Sequence, residues 1–117
     1  MDRFRFKFRF WSKILSKFVT PDDNIFVGAL KDDKMIVMQC TGLKDKDGKL
    51  IYEGDIVHFS VENECNEKGY ERLEYCDIFF ENGCFYAASC HLSDIYDVEI
   101  VGNIHQNPEL LDENEND

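Results

Sequence analysis

The stretch that decides the fold runs from Met38 to Val57 and reads Met38-Gln39-Cys40-Thr41-Gly42-Leu43-Lys44-Asp45-Lys46-Asp47-Gly48-Lys49-Leu50-Ile51-Tyr52-Glu53-Gly54-Asp55-Ile56-Val57. We call it the signature segment. Apolar residues at both ends predict strands, and the charged residues 44–49 predict a loop closed by Asp47-Gly48, because glycine adopts the positive φ of a tight turn. Gly54-Asp55 predicts a second turn. The segment therefore predicts a strand, a polar loop and a second strand that bends at a glycine.

Upstream of the signature segment, basic and aromatic residues alternate strictly from Arg3 to Phe10. On a strand this pattern places the Phe side chains on one face and the cations on the other. The simplest interpretation is a sheet strand with one buried and one solvated face. The alternative is a strip that binds nucleic acid or a membrane surface, because cations flanked by aromatic rings suit both.

Residues 11–18 carry a helical pattern, because Trp11, Ile14, Leu15 and Phe18 have the spacing of one face of an amphipathic helix. The sequence therefore predicts a two-turn helix here. A loop is predicted at 20–24, followed by a hairpin whose arms, 25–30 and 35–40, flank a charged turn.

Downstream, the polar and acidic residues 62–72 predict a loop. Asn82-Gly83 separates the apolar runs Leu73–Phe80 and Cys84–Ala88, and predicts a hairpin because type I′ turns need positive φ at two successive residues. Ile95–Ile104 predicts a further strand. Asn107-Pro108 predicts a helix start, with Asn as the N-cap and Pro at the first helical position.

Many short strands with recurring turn signals predict a mainly β fold, a small barrel or a strongly bent antiparallel sheet with one or two short helices. A chain of 117 residues fits one domain with one core. We predict a single domain at residues 1–111 and a disordered acidic tail at 112–117.

The net charge of −11 conceals an asymmetry. Residues 2–18 hold six basic residues and one acid, whereas the rest of the chain holds seven basic residues and 23 acids, a net charge of −16. Such a body disfavours general nucleic-acid binding. The odd count of five cysteines, the lack of a secretory pattern and the lack of an apolar stretch long enough to span a bilayer predict a soluble intracellular protein with reduced thiols and no membrane association.

The signature segment resembles the YopX family of small phage and prophage proteins, whose members carry a very similar run, Thr-Gly-Leu-Lys-Asp-Lys-(Asn/Asp)-Gly-Lys followed by Ile-Tyr-Glu-Gly-Asp-Ile-Val. Two further stretches resemble family motifs, Val101–Leu111 and, more weakly, Lys7–Trp11. This chain departs from the family at Cys40, where an aromatic residue is usual, at Phe10, where a small residue is usual, and at His105-Gln106, where Tyr-Glu is common.

The resemblance implies an SH3-like barrel or roll. It also implies that the chain after Trp11 forms a turn and another strand, in place of the helix that periodicity predicts. For function it implies a phage or prophage accessory protein in the cytoplasm of a bacterial host cell.

The spacing of possible metal ligands argues against a metal site. If Gly48 took the sixth position of a calcium loop, positions one and twelve would be Leu43 and Gly54, which lack carboxylates. The cysteines contain no Cys-x-x-Cys pair. Convergence of Cys76, Cys84 and Cys90 across a hairpin stays open as the alternative, but buried free cysteines that pack as small apolar residues are the favoured interpretation. We predict no metal and no cofactor.

Catalytic patterns are equally sparse. Cys90 beside His91 is the only candidate for a nucleophile and its base, and neither a Gly-x-Ser-x-Gly motif nor a phosphate-binding loop occurs. We predict no catalytic residues and no enzymatic activity.

The carboxylates around the signature turns have two interpretations. The first is turn chemistry, in which Asp side chains accept hydrogen bonds from nearby backbone amides. The second is a partner-binding surface, because recognition residues concentrate on loops. The candidate partner-binding residues are Trp11, Thr41, Gly42, Leu43, Asp45, Asp47, Tyr52, Glu53 and Asp55.

Three functions stay open. The favoured one is a non-enzymatic phage accessory protein that acts as a small protein-binding module. The alternative is an acidic inhibitor that mimics nucleic acid and blocks a host nucleic-acid enzyme such as a defence nuclease. The third is a small hydrolase or metal-dependent enzyme, which depends on Cys90-His91. The expected partner is a protein, and a homo-oligomer is an open alternative.

Overall fold

The computed structural model describes residues 7–19 and 34–115. Its strands are β1 (Phe8–Ser12), β2 (Lys17–Val19), β3 (Met35–Lys44), β4 (Leu50–Tyr52), β5 (Asp55–Glu62), β6 (Tyr70–Glu81), β7 (Cys84–Ala87), β8 (Cys90–His91) and β9 (Ile95–Asn103). A 3-10 helix (Leu92–Asp94) precedes β9, and the α-helix α1 (Glu109–Glu115) follows it. The prediction of a mainly β fold is confirmed.

The strands form two antiparallel sheets, with the orders β2-β1-β3-β4 and β8-β7-β6-β5-β9. The chain passes from the first sheet to the second at the turn between β4 and β5. Bulges interrupt the pairing of β5 with both of its neighbours, which increases local twist and bends the sheet. The arrangement agrees with the predicted bent sheet.

The turn between the sheets centres on Gly54, whose φ is +90°. Its N–H donates to the carbonyl of Ile78 at 2.8 Å, and its carbonyl accepts from the N–H of Ile104 at 2.9 Å. A Cβ at this position would lie 3.1 Å from Met38 Sδ. Glycine is therefore required both by the backbone angle and by the close approach of a neighbouring side chain.

The main core lies against the second sheet, where β5 runs between β6 and β9. Val57 and Phe59 of β5 are fully buried and pack in one cluster with Ile51, Ile78 and Val98. Burial of each such large side chain contributes roughly 1.5–3 kcal/mol relative to exposure. Strand β4 thus supplies Ile51 to the core of the other sheet, which joins the two sheets.

The helix that periodicity predicts at residues 11–18 is wrong. Residues 13–16 form a turn between β1 and β2, and Trp11 pairs with Phe18 across the two strands. Ser12 Oγ accepts from the N–H of Leu15 at 3.1 Å, and Ser16 takes a positive φ of 53°. The turn leaves Ile14 61% exposed. The turn and strand that the family resemblance implies are present.

The buried face of β1 also differs from the prediction. Phe8 is 45% exposed, whereas the side chain of Arg9 is only 21% exposed. Arg9 and Trp11 lie on the same face of the strand. This face is the inner one, since Trp11 is buried and Arg9 pairs with the buried Asp55. In the described part of this strand, the cation lies on the inner face.

The hairpin predicted at Asn82-Gly83 is confirmed. Both residues have positive φ, 52° and 82°, and Phe80 pairs directly with Phe85 across the two strands. The preceding loop is shorter than predicted, because β6 begins at Tyr70. Asn63 and Asn66 order that loop by accepting hydrogen bonds from the N–H groups of Cys65 and Lys68.

The strand predicted at 95–104 is β9, and α1 starts after Asn107-Pro108 as predicted. Asn107 Oδ1 accepts from the N–H of Asn103 at 3.2 Å, which ties the helix start to the end of β9. The helix continues through Glu115, into the segment predicted to be a tail. The domain bounds 1–111 and 112–117 stay a prediction.

Several predictions fall outside the described residues. They are the first part of the alternating strand, Arg3–Phe6, the loop at 20–24 and the hairpin arm at 25–30. Within the described ranges, no helix has the length and apolar composition needed to cross a membrane.

Candidate functional site

The loop of the signature segment is built around the Asp45 carboxylate. Asp45 Oδ1 accepts from the N–H groups of Asp47 and Lys49, both at 2.9 Å. Its Oδ2 accepts from the N–H of Ile100 on β9 at 3.3 Å. Asp45 is only 7% exposed. Its carboxylate therefore holds the loop in shape and fixes it to the second sheet, which is the turn chemistry expected from its position.

Thr41 fixes the strand that leads into this loop. Its buried hydroxyl donates to the carbonyl of Ile51 at 2.8 Å and accepts from the N–H of Leu43 at 3.1 Å. These two bonds hold the irregular part of β3 next to β4, where the register shifts. Leu43 is left with 43% of its surface exposed.

Asp55 forms an ion pair in the turn between the sheets. Asp55 Oδ1 lies 2.7 Å from Arg9 Nη2, and its Oδ2 accepts from the N–H of Tyr52 at 2.8 Å. Burial raises the pKa of Asp55, while the Arg9 charge and the Tyr52 hydrogen bond act in the opposite direction. The carboxylate is 2% exposed. It is therefore an internal partner of Arg9 and is not presented to solvent.

Two aromatic rings enclose the Arg9 guanidinium, whose Cζ lies 4.8 Å from the ring centre of Tyr52 and 4.9 Å from that of Phe18. Such cation–π contacts are worth about 0.5–2 kcal/mol each. Burial raises the pKa of Tyr52. Arg9 also donates to the carbonyl of Glu53 at 3.3 Å. Arg9 is thus committed to contacts inside the protein.

Trp11 and His105 extend this cluster. Their rings stack with centroids 5.3 Å apart and an angle of 16° between planes. Burial, followed by the nearby charges of Arg9 and Lys13, lowers the pKa of His105. Trp11 is only 7% exposed and also contacts Phe18 edge to face. The ring of Trp11 therefore packs inside the protein.

An apolar groove runs past the exposed side chain of Leu43. It consists of two adjoining clefts, of about 450 and 470 Å³, which share Leu43, Leu92 and Ser93 in their walls. We call it the Leu43 groove. The first cleft continues along Ile51 and the 44% exposed Tyr96, and the second along Phe85 and the 46% exposed Phe80. The polar residues that line the two clefts are Gln39, Thr41, Lys44, Asp45, Lys46, His91, Ser93 and Asp97.

The candidate partner-binding residues thus separate into two groups. Four are buried and hold the structure together: Trp11, Thr41, Asp45 and Asp55. The other five are half-buried or exposed: Gly42, Leu43, Asp47, Tyr52 and Glu53. Leu43 lines both clefts of the groove, Asp45 lines the first cleft and Thr41 lines the second. Tyr52, Glu53 and Asp55 contact Arg9, and Trp11 stacks on the neighbouring His105. Asp47 lies on the loop and Gly42 on β3.

Phe80, Leu92 and Tyr96 line the groove but were not among the sequence candidates. The exposure of Phe80 could have been predicted from the sequence, since Phe80 lies just before the Asn82-Gly83 turn, where strand side chains are often exposed. Leu92 and Tyr96 have no such signal, because the 3-10 helix brings them to Leu43 only in the folded chain.

The sequence model of the family described as YopX protein matches residues 12–112, most of the chain. The chain belongs to the YopX family. Among solved structures, the crystal structure of protein EF1440 from Enterococcus faecalis is similar to it, with a TM-score of 0.59 and 26% identity over 90% of this chain and 96% of that chain. No curated protein sequence matches.

The three stretches that resemble YopX proteins meet in one place in this chain. The first supplies Arg9 and Trp11, the signature segment supplies Tyr52 and Asp55, and the last supplies His105, whose ring stacks on Trp11. In this chain, these five residues are thus in contact inside the protein. What the YopX signature leaves on the surface is Leu43 and the loop that follows it.

The cysteines of this YopX chain are free, and two of them, Cys40 and Cys76, are buried as expected of packing residues. That interpretation is wrong for Cys65 and Cys84, which are exposed on the loop before β6 and on β7, and Cys90 is intermediate. Burial raises the pKa of the Cys76 thiol, which disfavours the reactive thiolate. Among the described residues, no group of three or more His, Cys, Asp or Glu side chains is placed to hold a metal ion.

The neighbouring Cys90 and His91 are the sequence candidates for a nucleophile and its base. The His91 ring lies against Tyr86, with centroids 4.7 Å apart, and His91 is exposed. In the described part of the chain, no hydrogen bond joins the Cys90 thiol to the His91 ring. A base within hydrogen-bond reach of its nucleophile would be needed for the reaction.

Proposed function

We propose that this YopX protein is a non-enzymatic phage or prophage accessory protein that acts in the bacterial cytoplasm as a small protein-binding module, without metal or cofactor. The observation that carries the proposal is the Leu43 groove, which exposes Leu43, Phe80 and Tyr96 along one surface. Exposed apolar side chains next to a concave surface with a polar rim are typical of protein-binding sites.

The internal contacts of the signature segment support this assignment. Thr41 accepts from the N–H of Leu43, and Asp45 accepts from N–H groups of the loop that follows. The backbone on both sides of Leu43 is therefore fixed, while its side chain stays exposed. A preorganised apolar anchor loses little conformational entropy on binding. The occupant we propose is an apolar segment of a protein partner, since the walls of both clefts are mainly apolar side chains.

Affinity capture with matched variants tests the proposal. The bait is the full chain, with Leu43→Asp and Phe80→Asp as groove variants. Ile14→Asp is the control, because Ile14 is 61% exposed but does not line the groove. We expect the same host or phage proteins with the wild type and the control, and their loss with both groove variants. Capture that is indifferent to both groove variants would refute the proposal.

A second function is favoured by one observation. Residues 62–115 contain fourteen acids and only two cations, Lys68 and Arg72, a net charge of −12. A surface of this charge is suited to an inhibitor that occupies the nucleic-acid site of a host enzyme such as a nuclease. A captured nuclease whose binding weakens steeply with salt, and whose cleavage of DNA is inhibited by the purified protein, would support this function.

A further inference from the structure

A second pocket lies on the β6–β7 hairpin, on the side opposite to the Leu43 groove. Phe80 and Phe85 line the groove, while their chain neighbours Phe79 and Tyr86 point to the other face, because side chains alternate along a strand. The pocket has a volume of about 240 Å³ and is lined by Phe79, Glu81, Asn82, Tyr86, Ala88 and Ser89. This volume is of the size of one long side chain.

The walls of the pocket are aromatic. The rings of Phe79 and Tyr86 stack across the hairpin with centroids 5.5 Å apart and 18° between planes. The ring of His91 continues the row beyond Tyr86, at 4.7 Å. Both Phe79 and Tyr86 are half-buried, so that part of each ring remains accessible. Aromatic faces carry negative partial charge, which attracts cations.

The pocket also carries acidic charge that nothing in the described chain neutralises. Glu81 lines it, and Asp77 stands on the same face of β6 as Phe79 and Glu81. In the described part of the protein, neither acid has a salt bridge. Of the two cations in residues 62–115, Arg72 is bonded to Asp97 and Ser60. Glu81 and Asp77 therefore bring two negative charges to this face with no salt bridge among the described residues.

The turns at both ends of β7 hold the rim in a defined shape. Asn82 and Ala88 both line the pocket and both have positive φ, 52° and 56°. For Asn82 this is the ordinary geometry of an Asn-Gly turn. For Ala88 it is a strained conformation that costs of order 1 kcal/mol and persists only where the surrounding structure imposes it. The rim is thus preorganised, with strain placed beside the pocket.

We propose that this pocket receives an arginine side chain from a basic surface of the protein partner. A planar guanidinium stacks on an aromatic face and donates paired hydrogen bonds to a carboxylate. Since Tyr86 lies between the rings of Phe79 and His91, the guanidinium would stack on the face of Phe79 turned away from Tyr86 and bond to the Glu81 carboxylate. The acidic surroundings repel phosphates, which excludes nucleic acid as the occupant. The proposal rests on the proposed protein-binding function and specifies the chemistry of the partner.

The test is an NMR titration of the full protein with three small probes. N-acetyl-arginine amide carries the guanidinium, N-acetyl-citrulline amide has the same shape without the charge, and N-acetyl-lysine amide has the charge without the plane. We expect saturable shifts at Phe79, Glu81, Tyr86 and Ala88 with arginine, at least several-fold weaker shifts with lysine, and none with citrulline. Equal shifts with citrulline, or shifts spread over all surface acids, would refute the proposal.

Two variants give the matched control. Glu81→Gln removes the carboxylate that lines the pocket and should weaken arginine binding several-fold, whereas Glu74→Gln removes an exposed acid of β6 that does not line it and should not. Leu43→Asp should leave the arginine titration unchanged while abolishing capture through the groove. An arginine titration that fails while groove-dependent capture succeeds would overturn this proposal and leave the protein-binding function intact.

Discussion

At the scale of single residues, Arg9 shows how a surface-type residue is used internally. It pairs with Asp55, lies between the rings of Tyr52 and Phe18, and retains a buried Nε without a hydrogen-bond partner. Sequence periodicity placed this cation on a solvated face, because alternation shows which residues share a face and not which face is covered. The covered face of β1 is known only from the structure, in which Arg9 pairs with the buried Asp55 of the turn between β4 and β5.

Loss of the Arg9 charge should be costly. In Arg9→Met the Asp55 carboxylate stays 2% exposed without its partner, and we expect the free energy of unfolding to fall by about 3 kcal/mol at neutral pH. Lys46→Met is the control, because its pair with Glu99 is 3.7 Å long and exposed, so the loss should stay below about 1 kcal/mol. Urea unfolding measures both, and equal losses would contradict the assignment.

His105 should make stability depend on pH. Burial and the charges of Arg9 and Lys13 lower its pKa, so the unfolded chain binds the proton at higher pH than the folded one. The contribution of His105 is therefore present above the unfolded pKa of about 6.5 and is lost as pH falls through the folded pKa. His105→Phe keeps a ring against Trp11 without titrating. Relative to this variant, the wild type should lose stability between about pH 7.5 and pH 5. Parallel curves would exclude His105 as the cause.

At the scale of elements, the turns were predictable and the β1–β2 connection was not. Gly48, Gly54 and Asn82-Gly83 all have positive φ. Since Gly and Asn are the residue types that favour positive φ, these turns can be predicted from the sequence. Residues 11–18 have helical periodicity, yet eight residues cannot support a helix without packing. Pairing of Trp11 with Phe18 across two strands satisfies the backbone and buries the Trp11 ring instead. The groove shows the same limit, because Leu92 meets Leu43 only through tertiary structure.

The signature loop should depend on one of its two aspartates. Asp45→Ala removes two hydrogen bonds within the loop and one to β9 from a buried position, and we expect a loss of about 1–3 kcal/mol. Asp47→Ala, in the same loop but exposed, should change stability by less than about 0.5 kcal/mol. Thermal or urea unfolding compares them. If the two variants lose the same amount, the Asp45 bonds do not hold the loop.

At the scale of the whole molecule, charge is distributed unevenly between the basic residues 2–18 and the acidic remainder of the chain. Within the described residues, Arg9 of the basic stretch pairs with one of the protein's own acids, Asp55. From composition we predict that the acidic body disfavours nucleic acid. Composition could not locate the Leu43 groove or the pocket at Phe79 and Tyr86, because both depend on which side chains the strands bring together.

Binding to DNA should accordingly be negligible. Fluorescence anisotropy with single- and double-stranded DNA, at about 50 and 200 mM salt, covers the range in which phosphate contacts weaken steeply. We expect no saturable binding at either salt concentration. Micromolar binding that weakens with salt, and is lost in Arg5→Glu with Lys7→Glu, would make nucleic acid the partner. These substitutions leave the Arg9–Asp55 pair intact.

The turn at Gly54 also has a consequence for the order of folding. Its backbone bonds join segments far apart in the chain, around Ile78 and Ile104, so they form only after both are in place. Gly54→Ala should therefore act mainly by raising the unfolding rate. Gly48→Ala has a similar φ of +86° but open space around it and sits in a local loop, so it should slow folding instead. Stopped-flow measurements over a denaturant series give the folding and unfolding rates of both variants. If the stability loss is divided between the two rates in the same way in both variants, the contacts of Gly54 form as early as those of Gly48, which would contradict this order.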